Sequence, residues 1–299
     1  MCGIAGLHLR DPLLHPQLGR LLGGMLSVAA ERGTDAAGVG LYGSARLTPP
    51  GTATVSVLDL PVPVAEASAR LDAESLVGPV TTLGAAQTTT ITAACDIATL
   101  EALVRTTFPG IVISGRGTQL AVLKGTGPPA TLAESFALDE VQGWQAVAHT
   151  RMATESAVTA AGSHPFSVGP DQCLVHNGSF ANYATIRREL RAEGVQFDSE
   201  NDSEVAARFL AHHLDRGADL EQALRRLCER FDGFYTLLVS TADSFAVVRD
   251  AVACKPAVVA ETDQWVAMAS EYRYLAGLPG VRDARLFEPE PEQVYVWRR

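Results

Sequence analysis

Lysine is almost absent from this chain of 299 residues, since Lys124 and Lys255 stand beside 22 arginines. The formal net charge is −10, and such an acidic balance lacks the basic field that recruits nucleic acid or an anionic membrane. No apolar run approaches the ~20 residues of a transmembrane helix, and the first residues lack the features of a signal peptide. We therefore expect a cytoplasmic protein that binds neither nucleic acid nor membrane.

Cysteine is also scarce, with five widely spaced residues and no CxxC pair. This spacing argues against a disulfide framework and against a zinc or iron–sulfur site, so we expect no metal in this chain. The cysteines at positions 95, 173, 228 and 254 are interpreted as small core residues. Cys2 differs because it directly follows the initiator methionine.

Charged residues make up only 19% of the chain and hydrophobic residues 47%, which is a globular composition that excludes wholesale disorder. Predicted strands, then helices, then strands indicate an α+β architecture of stacked antiparallel sheets. The predicted helices are 18–29, 97–107, 183–192, 202–213 and 220–229. The predicted strands are 2–9, 36–42, 52–58, 88–92, 110–114, 119–123, 145–150, 172–176, 234–240, 245–249, 257–260, 265–269 and 293–297. We interpret 44–140 as an insertion or subdomain after the first helix–strand unit, within one domain spanning 2–299.

Cys2 becomes the first residue if the initiator methionine is removed, which a small second side chain permits. It would then carry a thiol and a free α-amine close together. The amine has a reference pKa of about 7.7–8.0, so near neutral pH it can take the thiol proton and act as a general base. The alternative is an ordinary N-terminus that happens to hold a cysteine.

Two arginines lie at places where a cation can orient a reacting group or a substrate. Arg32 lies in a charged segment between a predicted helix and strand, where it could fix the N-terminal residue or simply belong to a surface turn. Arg151 follows a predicted strand and can form a bidentate fork with a carboxylate, although a surface ion pair is the alternative.

Two further segments carry hydrogen-bonding or acidic groups. Asn177 and Gly178 follow a predicted strand, and a side-chain amide beside a glycine N–H provides the two donors of an oxyanion hole. The alternative is a tight turn, which Asn-Gly favours. Asp202 opens a predicted helix, where it could bind an ammonium group, or where it or Asn201 could cap the helix.

Together and in this order, these segments resemble the class II (N-terminal nucleophile) glutamine amidotransferase family. The later segments Asp232-Gly233-Phe234-Tyr235 and Ala269-Ser270-Glu271 also resemble that family, so most of the chain is covered. The matching motifs are Cys2-Gly3-Ile4-Ala5-Gly6, Arg32-Gly33-Thr34-Asp35, His149-Thr150-Arg151, His176-Asn177-Gly178 and Asp202-Ser203-Glu204.

The resemblance implies a four-layer αββα sandwich that hydrolyses L-glutamine to glutamate and ammonia. Carried over residue by residue, it implies Cys2 as nucleophile, with Asn177 and Gly178 as oxyanion donors. Arg32 would position the nucleophile. The implied substrate-binding residues are Arg151 for the α-carboxylate, Asp202 for the α-ammonium, and Thr154 and His164 as further pocket residues.

About 115 residues separate Arg32 from His149, and such a long insert resembles the glutamate-synthase branch of the family. The segment 149–204 resembles the stand-alone amidotransferase subunits of N-methylglutamate synthase and of GlxB-like proteins. One departure is Glu155, where sugar-phosphate synthases commonly carry histidine. That departure weakens any substrate contact inferred at this position.

The amidotransferase motifs leave no segment for an acceptor-binding or flavin domain, so the resemblance implies glutamate-synthase-like partner subunits. We expect FMN on such a partner, leave iron–sulfur clusters there open, and expect no cofactor in this chain. Two alternatives remain at this stage. One is another N-terminal nucleophile amidohydrolase, and the other is a catalytically silent, amino-acid-binding regulatory subunit.

Overall fold

A computed structural model describes residues 2–75, 78–152 and 157–299, which form fifteen strands and eight α-helices. Within these ranges no helix has the length and apolarity needed to cross a bilayer. The helices are α1 Leu18–Ala29, α2 Val64–Glu74, α3 Ile97–Thr107, α4 Pro129–Ser135, α5 Tyr183–Ala192, α6 Asp202–Leu214, α7 Leu220–Arg230 and α8 Tyr272–Leu275. The strands are β1 Gly3–Leu9, β2 Ala36–Tyr42, β3 Ala53–Leu58, β4 Val80–Ala85, β5 Thr88–Ala93, β6 Val112–Gly117, β7 Leu120–Thr126, β8 Gln145–Arg151, β9 Cys173–Phe180, β10 Gly233–Ser240, β11 Ser244–Arg249, β12 Val258–Glu261, β13 Trp265–Ala269, β14 Arg285–Phe287 and β15 Tyr295–Arg298.

The strands of the described chain form three sheets. The largest has seven strands in the order β14-β12-β13-β1-β8-β2-β7. A second sheet, called the β9–β11 sheet below, has the order β15-β11-β10-β9. A third sheet has the order β4-β5-β3-β6. The strand pairs whose register is defined are antiparallel in all three sheets. The predicted α+β class with antiparallel sheets is therefore confirmed.

The alternation of side chains along β1 shows how the layers stack. Ala5, Leu7 and Leu9 point to one face, where they share a core with helix α1. Ile4 points to the other face and joins the core between the seven-stranded sheet and the β9–β11 sheet. A Cβ on Gly6 would lie 2.4 Å from the Leu238 side chain, so glycine allows the two sheets to approach there.

Helices cover the outer face of each of these two sheets. On the seven-stranded sheet, the apolar positions of α1 are buried as the helical spacing predicts, with Leu22 and Met25 in the core. On the β9–β11 sheet, Leu210 of α6 and Leu224 of α7 share a core with Leu237 of β10.

The third sheet lies within 53–117 and has its own core with α2 and α3. The predicted segment 44–140 is broader than this unit. Strand β7 pairs with β2 in the seven-stranded sheet, and Leu132 of α4 belongs to the core beneath α1. The local sequence pattern could not show that β7 belongs to the seven-stranded sheet, because its partner β2 lies far earlier in the chain.

The interpretation of four cysteines as core residues is correct for Cys173, which is buried, and partly correct for Cys95 and Cys228, which pack against hydrophobic cores. Cys95 and Cys228 are partly exposed. Cys254 is exposed because it lies in the loop between β11 and β12, outside both sheets.

Candidate active site

The ends of two neighbouring strands bring Cys2 and Arg151 to one edge of the seven-stranded sheet. Strands β1 and β8 are antiparallel, with Gly3 opposite Thr150, so the start of β1 lies beside the end of β8. Strand β2 pairs with the other side of β8, with Ala36 opposite Arg151. The segment carrying Arg32, just before β2, therefore reaches the same edge.

Three segments converge on Cys2 at this edge. Arg32 donates a hydrogen bond from Nε to the Cys2 carbonyl oxygen at 3.0 Å. Asn177 donates from Nδ2 to the same oxygen at 3.2 Å. The Met152 backbone N–H donates to the Cys2 Sγ at 3.5 Å. The structure thus brings together the predicted nucleophile, its predicted positioning arginine and one predicted oxyanion donor.

Glu271 fixes Arg32, a role that the sequence reasoning missed. Its Oε1 lies 2.5 Å from the Arg32 Nη1, and Arg32 is nearly buried, with 10% of its side chain exposed. The hydrogen bond from Arg32, together with Arg273, lowers the pKa of the Glu271 carboxyl. The sequence signal was the Ser270-Glu271 segment after β13, which resembled the family but suggested no role by itself.

Asn177 and Gly178 lie inside strand β9 and not in a tight turn, which excludes the turn interpretation. The Asn177 Oδ1 lies 3.1 Å from the His149 Nε2, so the imidazole orients the amide and leaves Nδ2 toward Cys2. Gly178 has a φ of +138°, and a Cβ there would lie 2.0 Å from the Phe234 carbonyl oxygen. Glycine is therefore required at this position.

Arg151 and Asp202 are each held by hydrogen bonds to neighbouring polar groups. Arg151 is buried and donates from Nη1 to the Gly162 carbonyl oxygen at 3.0 Å. The Asp202 carboxylate accepts the Phe180 N–H at 3.0 Å, while Asn201 is the N-cap of α6. Asp202 is therefore not used as the cap. Thr154, the other predicted pocket residue, lies outside the described residues.

His164 is one of three buried histidines, with His149 and His176, that form a layer next to the predicted pocket residues. Its Nε2 lies 3.0 Å from the Ser203 Oγ, and the His176 Nδ1 lies 2.8 Å from the same oxygen. The ring centroids of His149 and His164 are 4.3 Å apart. Ser203 also donates to the Asp202 Oδ1 at 3.2 Å, so the layer reaches the predicted ammonium-binding residue.

Burial keeps this histidine layer neutral. Desolvation lowers the pKa of His149 to about 3 and that of His176 to about 4. It also lowers the pKa of His164 well below its ordinary value. A neutral imidazole carries one N–H, and at His149 this hydrogen must lie on Nε2 to donate to the Asn177 carbonyl oxygen. The orientation of the amide thus depends on this tautomer.

The free energy of unfolding should fall as the pH drops from about 6.5 toward 4. Between these values the unfolded chain binds more protons than the folded chain, because the folded pKa of His149 is about 3. Each such histidine steepens the slope by up to about 1.4 kcal/mol per pH unit. Urea unfolding across this range measures the slope, which His149→Gln should flatten. An equal slope in the variant would contradict a neutral His149.

Comparison with known proteins agrees with the described geometry. A family model for a glutamine amidotransferase domain matches residues 149–277, which include Arg151, Asn177 and Glu271. The glutamine amidotransferase-like protein GlxB of Rhizobium meliloti (strain 1021) is 45% identical over 298 residues, covering 99% of this chain and 98% of that protein. The chain belongs to the class II glutamine amidotransferase family.

Solved structures show the same amidotransferase fold. The allosteric regulatory enzyme of purine biosynthesis superposes with a TM-score of 0.62 at 17% identity, over 99% of this chain and 46% of that chain. Glutamine phosphoribosylpyrophosphate amidotransferase from B. subtilis superposes with a TM-score of 0.58 at 18% identity, over 99% of this chain and 49% of that chain. The predicted resemblance to class II amidotransferases, and to GlxB-like proteins within them, is confirmed.

Proposed function

We propose that this amidotransferase hydrolyses L-glutamine to glutamate and ammonia, with Cys2 as its N-terminal nucleophile after removal of Met1. The observation that carries the proposal is the convergence of Arg32, Asn177 and the Met152 N–H on Cys2. The first two hold the main chain of Cys2 and the third faces its sulfur. A residue at an ordinary terminus needs no such set of contacts.

The first half of the reaction forms a thioester. The free α-amine of Cys2 takes the thiol proton, and the thiolate attacks the side-chain amide carbon of glutamine. The Met152 N–H lies 3.5 Å from the Sγ and can donate a hydrogen bond to the sulfur. The Asn177 amide and the Gly178 N–H stabilise the tetrahedral oxyanion. His149 orients the Asn177 amide, and the oxyanion replaces one of the two acceptors that Nδ2 faces, the Cys2 carbonyl or the Ser270 hydroxyl.

The second half releases both products. As the tetrahedral intermediate collapses, the carbon–nitrogen bond breaks, and ammonia leaves with the proton held by the Cys2 ammonium. The same amine, now neutral, takes a proton from water, and the resulting hydroxide attacks the γ-glutamyl thioester. The carbon–sulfur bond then breaks and the thiol regains its proton. Glutamate leaves, and the enzyme returns to its starting state.

Recognition of the amino-acid part of glutamine requires one cation and one anion at a fixed separation. Arg151 provides a buried guanidinium for the α-carboxylate, and Asp202 provides a carboxylate for the α-ammonium. The Gly162 carbonyl restrains Arg151, and the Ser203 hydroxyl restrains Asp202. His164, which binds Ser203, positions this side of the pocket through that contact.

A substrate panel tests this proposal. Ammonia release from L-glutamine is compared with release from 4-aminobutanamide, which lacks the α-carboxylate, and from glutaramic acid, which lacks the α-ammonium. We expect kcat/KM to fall by about 10²-fold or more for each analogue, because each loses the charged group that one of these two side chains is proposed to bind. Similar values for all three amides would indicate a general amidohydrolase. Glutamine binding without ammonia release would indicate a regulatory subunit.

We further propose that the ammonia serves a glutamate-synthase-like partner of N-methylglutamate synthase type, with FMN on the partner and no cofactor in this chain. The 45% identity to GlxB extends over 98% of that protein, and this coverage supports a stand-alone subunit. By contrast, the match covers 49% of the solved phosphoribosylpyrophosphate amidotransferase chain. Helix α1 packed on the seven-stranded sheet, and helices α6 and α7 packed on the second sheet, support the four-layer sandwich typical of N-terminal nucleophile hydrolases.

A further inference from the structure

A cavity of about 70 Å³ is lined in part by Lys124 and by residues of the segment 161–168. Strand β6 of the third sheet forms one wall, and the start of α6 forms another. The cavity has room for several water molecules or one small organic ion. It reaches the surface beside Val112, which is 40% exposed.

Lys124 of β7 is the most deeply buried cation of this cavity, with 3% of its surface exposed. Its Nζ donates to the Ser163 carbonyl oxygen at 2.8 Å and lies 4.9 Å from the centre of the Phe166 ring. An ammonium group has three N–H donors, so this carbonyl accepts one of three. A buried ammonium group is stable only when it is well paired.

Two other polar groups of the lining are buried with no strong hydrogen bond among the described residues. They are the Arg116 Nε and the Ser167 hydroxyl, which contacts only the weakly hydrogen-bonding thiol of Cys173. Ser167 is 5% exposed, so bulk water does not satisfy it. A buried polar group without a partner costs about 1–3 kcal/mol. The Lys124 ammonium and the Arg116 Nε can only donate, and the Ser167 hydroxyl can donate as well.

The buried acidic group of the lining, Glu204, is already saturated. Glu204, which is 2% exposed, accepts the N–H groups of Asp198 and Ser199 at 2.8 and 2.7 Å and the Arg208 Nε at 3.1 Å. A ligand that fills this cavity must therefore bring acceptors. Since Asp198 and Glu204 also disfavour a second negative charge, a monoanion fits better than a dianion.

We propose that this cavity binds a short-chain monocarboxylate. Its carboxylate accepts hydrogen bonds from Lys124 and Ser167, and its alkyl group lies against Ile113, Phe166 and Val168 of the apolar wall. This site is separate from the glutamine pocket, because none of the described residues assigned to that pocket lines the cavity. No step of glutamine hydrolysis uses these donors.

Isothermal titration calorimetry of the whole protein with sodium propionate tests the proposal, with propionamide as the uncharged ligand of the same shape. We expect propionate to bind in the millimolar range and propionamide to show no binding. Lys124→Met should weaken propionate binding at least tenfold, and Ser167→Ala two- to fivefold. Lys255→Met, which removes the other lysine, should leave it unchanged. Binding is measured directly, so the result does not depend on glutaminase activity.

The charge of Lys124 gives a second readout. Burial lowers its pKa to about 8, so propionate binding should weaken as the pH rises from 7 to 9.5. The charged or titratable groups around Lys124 are Glu204 and Arg208 of α6, Asp198 before it, Arg116 of β6, Cys173 of β9, and His164. Absence of propionate binding to the wild type at pH 7 would overturn the proposal and leave a cavity for water. Equal binding by a folded Lys124→Met variant would overturn it as well.

Discussion

Replacement of Cys2 by serine should lower glutamine hydrolysis by at least about 10³-fold, because loss of a nucleophile commonly has the largest effect in an enzyme. Serine keeps nearly the same size and the same N-terminal amine, so the contacts of the Cys2 carbonyl with Arg32 and Asn177 should persist. A hydroxyl with its high pKa is a far weaker nucleophile than a thiolate at neutral pH. Ammonia release under saturating glutamine measures the loss.

Cys254→Ser is the matched control, since it makes the same chemical change at an exposed cysteine in the loop after β11. It should retain wild-type kcat and KM. Thermal unfolding of both variants establishes that each is folded. Substantial hydrolysis by a folded Cys2→Ser variant would show that another group attacks the amide, and the proposed role of Cys2 would be wrong.

Asn177→Ala should lower kcat by about 10²–10³-fold with a smaller change in KM, because an oxyanion donor acts mainly in the transition state. Asn177→Asp keeps the shape but replaces the amide donor with an anion, so its effect on kcat should be at least as large. Steady-state kinetics with glutamine separates the two constants.

Asn182→Ala serves as the control for this pair. Asn182 donates to the Arg230 carbonyl oxygen and accepts the Asp232 N–H, both outside the candidate site. Its loss should affect stability more than kcat. If Asn177→Ala instead raised KM and left kcat unchanged, Asn177 would act in substrate binding, and the oxyanion role would be contradicted.

Much of the candidate site could be predicted from the sequence, because its chemistry resides in unusual residues at recognisable positions. Cys2, Arg32 and Asn177 each stand at the start or end of an apolar strand pattern, and the structure brings all three together. The helical spacing in α1 and the strand pattern of β1 are also seen as predicted. These features depend on local sequence.

The features that the sequence did not predict depend on contacts between residues far apart in the chain. Glu271 reaches Arg32 across 239 residues, and no local pattern indicates that contact. His149 belongs to a sequence motif, yet its contact with Asn177 depends on how the sheets that contain β8 and β9 face each other. The Met152 N–H that faces Cys2 belongs to the main chain, so its residue type gives no signal. The partner of β7 was missed for the same reason.

Intact-mass spectrometry, before and after treatment with a diazo-ketone analogue of glutamine, tests the central claim most directly. The analogue has the amino-acid part that Arg151 and Asp202 are proposed to bind, and it alkylates a nucleophile placed at the amide carbon. We predict a chain without Met1 that gains one adduct, which peptide mapping places on Cys2. A chain that retains Met1, or an adduct on another cysteine with Cys2 unmodified, would contradict Cys2 as the N-terminal nucleophile.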